Sequence, residues 1–210
     1  LTNPIPPHPE LVSQAIEMLL AAKSPLIHAG SGIIHAGASA ELLALAQKLH
    51  IPVVTSWAAR SAIAETTRES IPMIYIDLCN QARNEADLVL TIGSRLGETD
   101  WWGKPPYWAS PARQKHIQVD NDEEILGLNK PADLPILADA REFITTLLAE
   151  INKRTSLPAW PERHQTLDRY NDGKTKGRAQ LDKIFSSPDY PMTAGHLAKA
   201  CQEVFPNDSF

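Results

Sequence analysis

The sequence predicts an α/β fold: a doubly wound, about six-stranded parallel sheet with helices on both faces. Three observations carry that expectation. Residues 87–97 hold a branched apolar run, Leu88-Val89-Leu90 and Ile92, between Asp87 and a glycine-punctuated exit at Gly93 and Gly97. A run of this kind without alternation describes a strand covered on both faces, as parallel strands are. Leu26-Ile27-His28-Ala29 leads into Gly30-Ser31-Gly32, then a helical pattern, then Ile51-Pro52-Val53-Val54, a strand, glycine loop, helix, strand unit whose crossover is expected to be right-handed. Strand-like and helix-like segments also alternate from residue 9 to residue 151.

Taken in order, residues 9–22 place Leu11, Val12, Ala15, Ile16, Leu19 and Leu20 at helical spacing, with Pro9 suited to the first turn, and Lys23-Ser24-Pro25 ends the helix. After the glycine loop a helix resumes beyond Gly37 through Leu42, Leu43, Ala46 and Leu49, and residues 50–56 are the next strand. Residues 71–77 suggest a short strand weakened by Pro72, and residues 78–85 a short helix. Strands follow at 115–120 and 134–137, the second interrupted by Pro135, with a helical turn at 122–126 between them. Phe143, Ile144, Leu147, Leu148 and Ile151 share one face of a helix over 141–151.

Beyond Asn152 the character changes. Residues 155–160 read as a linker, and residues 162–185 as a polar, loosely helical stretch interrupted by Asn171-Asp172-Gly173 that offers no core of its own. Residues 194–204 form a helix with Leu197, Ala198 and Cys201 expected inwards, which reads as the opening of another domain. The expected division is 1–153, a linker with loose helix over 154–189, and the start of a further domain over 190–210.

A chain of 210 residues can bury a substantial core, and its net charge of −5 gives no electrostatic case for nucleic acid or an anionic membrane. No apolar run is long enough to span a bilayer, and the proline-rich first residues lack a signal-peptide pattern, so a cytoplasmic setting is expected. Cys79 and Cys201 are isolated, which argues against a disulfide framework and against structural zinc.

Ligands of doubly wound sheets bind at the strands' carboxyl ends. The candidates there are Gly30, Ser31 and Gly32, a phosphate-type loop lacking the third glycine of GxGxxG, and Gly93, Ser94 and Arg95, where glycine admits close backbone approach and arginine can pair with phosphate. Asp120 and Asp139 each follow a strand, where a carboxylate either accepts from ribose hydroxyls or caps the next helix, capping being the better reading of each alone. Asp122-Glu123-Glu124 reads as a helix start, and His28 as a core histidine. Trp101, Trp102 and Trp108 suit either stacking on an adenine or burial against a neighbouring domain, with the second favoured.

The ordered series Pro25-Leu26-Ile27-His28-Ala29-Gly30-Ser31-Gly32, Ala36-Gly37-Ala38, Glu41-Leu42, Ile51-Pro52-Val53-Val54-Thr55, Ala86-Asp87-Leu88-Val89-Leu90, Gly93-Ser94-Arg95-Leu96 and His116-Ile117-Gln118-Val119-Asp120 resembles the central domain of thiamine diphosphate-dependent enzymes, a family that includes acetolactate synthase, pyruvate oxidase, and the benzoylformate and oxalyl-CoA decarboxylases. The resemblance covers residues 9–151 and implies a Rossmann-like domain of the kind that binds NAD or FAD elsewhere. It also implies a parent enzyme that makes or breaks a carbon-carbon bond beside a carbonyl, as in 2-keto acids, through the thiazolium ylid.

In that family thiamine diphosphate and Mg2+ lie between two flanking domains. One binds the pyrimidine and supplies a glutamate, and the other binds the diphosphate through a Gly-Asp-Gly to Asn motif; the parents are at least dimeric. This chain has no Gly-Asp-Gly, so the resemblance implies a piece that is not catalytic alone, with no catalytic or metal-binding residue of its own. Some central domains hold FAD or ADP, for which the matching positions are Gly30, Ser31, Gly32, Gly93, Ser94, Arg95, Asp120 and Asp139. No glycine occurs between Gly37 and Gly93, and Ala138 stands where the family has glycine, so side chains are expected to obstruct FAD. The alternative is a stand-alone FAD- or ADP-binding module of electron-transfer-flavoprotein type, which shares a similar fold; a sirtuin-type reading fails on its missing zinc cysteines.

Overall fold

The computed structural model describes residues 3–187 and 191–205; Tyr190 and residues 206–210, part of the expected start of a further domain, lie outside them. Helix α1, Pro9–Ala21, begins with proline, whose missing N–H is harmless in a first turn, and buries Val12, Ala15, Ile16 and Leu19. Strand β1, Pro25–Ala29, is buried throughout, and Gly30 and Ser31 lead into a single turn, α2, Gly32–His35. Helix α3, Ser39–Leu49, and strand β2, Val53–Thr55, complete the first crossover. The carboxylate of Asp87 accepts from the amides of Lys23 (2.8 Å) and Ser24 (3.0 Å), fixing the α1–β1 turn beside the start of β4, Leu88–Ile92.

Strand β3 is only Ser70–Ile71, because Pro72 cannot donate to the ladder, and helix α4 already begins within the span expected to be extended, running Ile76–Glu85. Strands β5, Lys115–Asp120, and β6, Leu134–Leu137, and helix α5, Ala140–Asn152, follow as expected. Pro135 sits in the edge strand with its side exposed, where a missing N–H is tolerated. All pairings are parallel and the strand order is β3-β2-β1-β4-β5-β6. One face carries the larger core, with Ile27, Leu90, Ile117 and Ile136 meeting α1, α3 and α5; the other carries Leu26, Val54 and Val89 against Cys79, Ala82, Trp108 and Tyr170.

The stretch expected to be loose is a continuous helix, α6, Pro161–Phe185, unbroken at Asn171-Asp172-Gly173. Its stripe of Arg163, Leu167 and Tyr170 is buried, so the driving force is tertiary burial that outweighs the local turn preference. The chain forms two compact units, Leu1–Asn171 and Asp172–Phe210. In the second, Arg178 pairs with Asp182 (2.8 Å), and α7, Ala194–Val204, starts with the Thr193 amide donating to His196 Nδ1 (3.1 Å). Contrary to the expected inward stripe, α7 has no buried residue, and Leu197 is 60% exposed.

Candidate functional site

The order β3-β2-β1-β4-β5-β6 reverses between β1 and β4, and a crevice lies at the carboxyl edge beside the loops that leave those two strands. It holds about 810 Å³ and is lined by seven of the sequence-derived candidates: Ser31, Gly32, Gly93, Ser94, Arg95, Asp120 and Asp139. Gly30 lies just outside the lining. The space is of a size that takes a nucleotide.

The glycines serve a purpose the motif did not suggest. A Cβ on Gly30 would collide with the Gly93 carbonyl, and one on Gly32 would stand 2.6 Å from the Gly93 Cα; Gly93 itself has φ +61°. The two loops therefore cross backbone on backbone. Their amides are engaged: Gly32 donates across the crossing to Gly93 O (3.1 Å), Gly30 to Ile92 O at the end of β4 (2.9 Å), and Gly93 to Val119 O of β5 (2.9 Å). None of the three points a free N–H at the crevice, which is what a phosphate loop requires.

The acids are likewise committed. Asp139 caps α5, accepting from the amides of Arg141 (2.9 Å) and Glu142 (3.2 Å), so the one long helix starting at the crevice has its first donors occupied by a carboxylate. Asp120 accepts from the Asp122 amide (3.2 Å); burial, outweighing that bond and the Asn121 amide and helped by the Asp122 charge, raises its pKa. Asp122 caps the turn at Glu123–Ile125. With Glu98 and Asp100 these acids face a single lining arginine, Arg95, which has no carboxylate partner among the described residues. The lining can accept hydrogen bonds from hydroxyls, and its charge opposes a diphosphate.

Under the floor runs a buried polar chain. His28 Nε2 lies 3.3 Å from Ser94 Oγ and 3.5 Å from Asp100 Oδ2, and Arg83 Nη2 lies 3.4 Å from Asp100 Oδ1. Burial presses the Asp100 pKa upward, but the neighbouring His28 and Arg83 outweigh it and hold the carboxyl low. Trp108 is fully buried, donating from its indole to Asp100 O (2.8 Å) beneath the Arg83 guanidinium (4.9 Å). The expectation that it would meet another domain is thus corrected, because this loop is anchored within the first unit. Trp101 stacks on Tyr107 (4.4 Å), while Trp102 is 44% exposed. Buried Lys130 donates to Gly103 O (3.4 Å) and Ala109 O (3.2 Å), and burial lowers its pKa to about 8.

His28 is a core histidine, as expected, yet its Nδ1 has no partner. Sequence reasoning missed Arg83, Asp100 and Lys130. For Arg83 a signal existed: Cys79, Ala82, Arg83 and Ala86 are one helical stripe, so the arginine had to face inward. Among the described residues no cluster of His, Cys, Asp or Glu could hold a metal ion, and no helix is long and apolar enough to cross a membrane.

Sheet order and crevice define a doubly wound domain of the dinucleotide-binding architecture. Residues 12–147 match the family described as thiamine pyrophosphate enzyme, central domain, and the chain belongs to that family. It is 32% identical over 146 residues to an acetolactate synthase of Mycobacterium bovis, covering 68% of this chain and 23% of that protein. It is 26% identical to a pyruvate oxidase of Lactiplantibacillus plantarum over 99% of this chain and 33% of that protein. A solved structure from Mycobacterium smegmatis, described as a thiamin diphosphate-dependent enzyme, superposes with a TM-score of 0.60 at 22% identity, over 75% of this chain and 30% of that one, a likeness of fold. The chain therefore spans 23% to 33% of the length of such relatives. These matches support the central-domain reading and give none to the electron-transfer-flavoprotein alternative.

Proposed function

We propose that this chain is the scaffold of a larger cytoplasmic thiamine diphosphate enzyme that cleaves or forms carbon-carbon bonds in 2-keto acids or related carbonyl compounds. In this reading a pyrimidine-binding and a diphosphate-binding domain flank residues 1–153 in a homodimer or homotetramer. Residues 154–189 connect to the diphosphate-binding domain, whose first helix lies within 190–210. Thiamine diphosphate and Mg2+ belong to those neighbours, since this chain carries neither a Gly-Asp-Gly motif nor, among its described residues, a cluster of metal ligands. The role of this domain is to present two rigid sheet faces and a fixed carboxyl edge; chemistry stays outside it.

The crevice in this reading is vestigial. The observation that carries it is the engagement of the Gly30, Gly32 and Gly93 amides beneath an acidic lining: the residues fit a ribose hydroxyl at Asp120 but not the diphosphate of FAD or ADP. Calorimetric titration of the chain with FAD, ADP, and thiamine diphosphate plus Mg2+ tests this. The expected result is no binding heat at about 100 μM ligand, whereas a Kd of about 10 μM or tighter for FAD or ADP overturns the vestigial crevice.

A further inference from the structure

His50 closes α3 in the left-handed conformation (φ 53°, ψ 51°), which glycine and asparagine adopt more readily than a histidine. In that position its ring meets the His164 ring at 4.0 Å between centroids, tilted by 42°, and the edge of Trp160 at 6.4 Å. His164 lies in the first turns of α6, next to Arg163, which donates to Leu19 O (2.5 Å) and Ala22 O (2.7 Å) at the end of α1 and to Leu49 O (2.8 Å) at the end of α3. The start of α6 is thereby held on two helix ends at once.

We propose that the contact between His50 and His164 is a proton-operated latch: while the His50 imidazole is neutral the tilted ring contact fastens the start of α6 to the end of α3, and proton uptake by His50 drives the rings apart and loosens that stretch.

The surroundings favour a neutral His50. From α6, Arg163 and His164 face His50; from the loop before β3, Arg68 and Glu69 do. Arg68 is engaged by Asp168 (2.6 Å) and also reaches His164 O (3.5 Å), so its charge stays beside the pair. Glu69 is the one group of these that favours a proton on His50. Burial first, then His164, then Arg68, lower the His50 pKa from the ordinary histidine value. A histidine held below its unfolded value contributes stability that is complete above pH 6.5 and is lost as pH falls below it, because the detached state binds the proton more readily. Arg163 remains charged throughout, so acid loosens the latch without releasing the guanidinium.

Hydrogen exchange of the whole chain, corrected for intrinsic rates, reads this out at about pH 7.5 and about pH 5.5. Amides of residues 163–170 should lose protection about three- to tenfold at the lower pH, while those of β4 stay unchanged. Two variants, His50→Asn, which keeps a residue tolerant of the left-handed backbone, and His164→Gln, should flatten that response. The latch is overturned by equal losses in both regions, by no loss in the unmodified chain, or by an undiminished loss in His164→Gln, which alters only a half-buried helix position and so folds even where His50→Asn does not.

Discussion

Gly30 and Gly37 flank the same single turn and need glycine for different reasons, which makes them a clean pair. Gly37 has φ +63° with nothing within 4 Å of an added Cβ, so Gly37→Ala should cost only the left-handed strain, about 1 kcal/mol. Gly30→Ala forces a methyl onto the Gly93 carbonyl at a crossing held by two backbone bonds, and should cost about 3 kcal/mol or more. Urea midpoints of the two variants measure the difference; equal shifts would mean that the loops can part, and that their amides are available to a ligand after all. The glycines themselves were legible in the sequence, but their partner was not, because a glycine required by a phosphate and one required by another backbone look alike until the fold brings residues 30 and 93 together. Asp100 and Lys130 were illegible for a related reason. Each belongs to an irregular loop, where no periodicity reveals which polar side chain turns inward.

Regular elements were read more fully, since five strands and the helices between them obey simple periods. The main error was α6, where Asn171-Asp172-Gly173 signals a turn and the composition is strongly polar. Trp160, Arg163, Leu167 and Tyr170 recur at spacings of three and four, so the buried stripe was present but disguised by an arginine inside it. That arginine is what makes the helix necessary to its neighbours. Its guanidinium satisfies carbonyls that α1 and α3 leave without intrahelical partners and meets the negative ends of both dipoles, while stacking on Trp160 at 4.1 Å. Burial lowers its pKa to about 10, still leaving it charged at neutral pH. Arg163→Met preserves apolar volume and strands those carbonyls, and should lower stability by about 2–4 kcal/mol, with Arg163→Lys recovering part of it. A loss below about 0.5 kcal/mol in chemical denaturation would show that water caps both helices equally well.

For the molecule as a whole, the boundary suggested by family resemblance and the boundary set by burial differ, and the difference can be measured. The resemblance ends near Ile151 and the family match at residue 147, whereas the first compact unit runs to Asn171. The intervening residues close both layers of the domain: Trp160 joins the larger core with Leu157 packed against it, Tyr170 joins the smaller one, and Tyr170 and Arg169 both bind Glu85 at the end of α4 (2.9 Å and 2.7 Å). A chain ending at Asn152 would expose the faces that Trp160, Leu167 and Tyr170 cover and leave the ends of α1 and α3 without Arg163. Those losses together come to about 5 kcal/mol or more, comparable with the whole stability of an ordinary domain. A chain ending at Asn171 keeps every one of these contacts and should unfold cooperatively within about 1 kcal/mol of the first transition of the full chain. Far-UV circular dichroism during urea titration of the two shortened chains decides the matter. Equal stability would make residues 153–171 a tether laid over a finished domain, while loss of cooperative unfolding in the shorter one makes them its last structural layer.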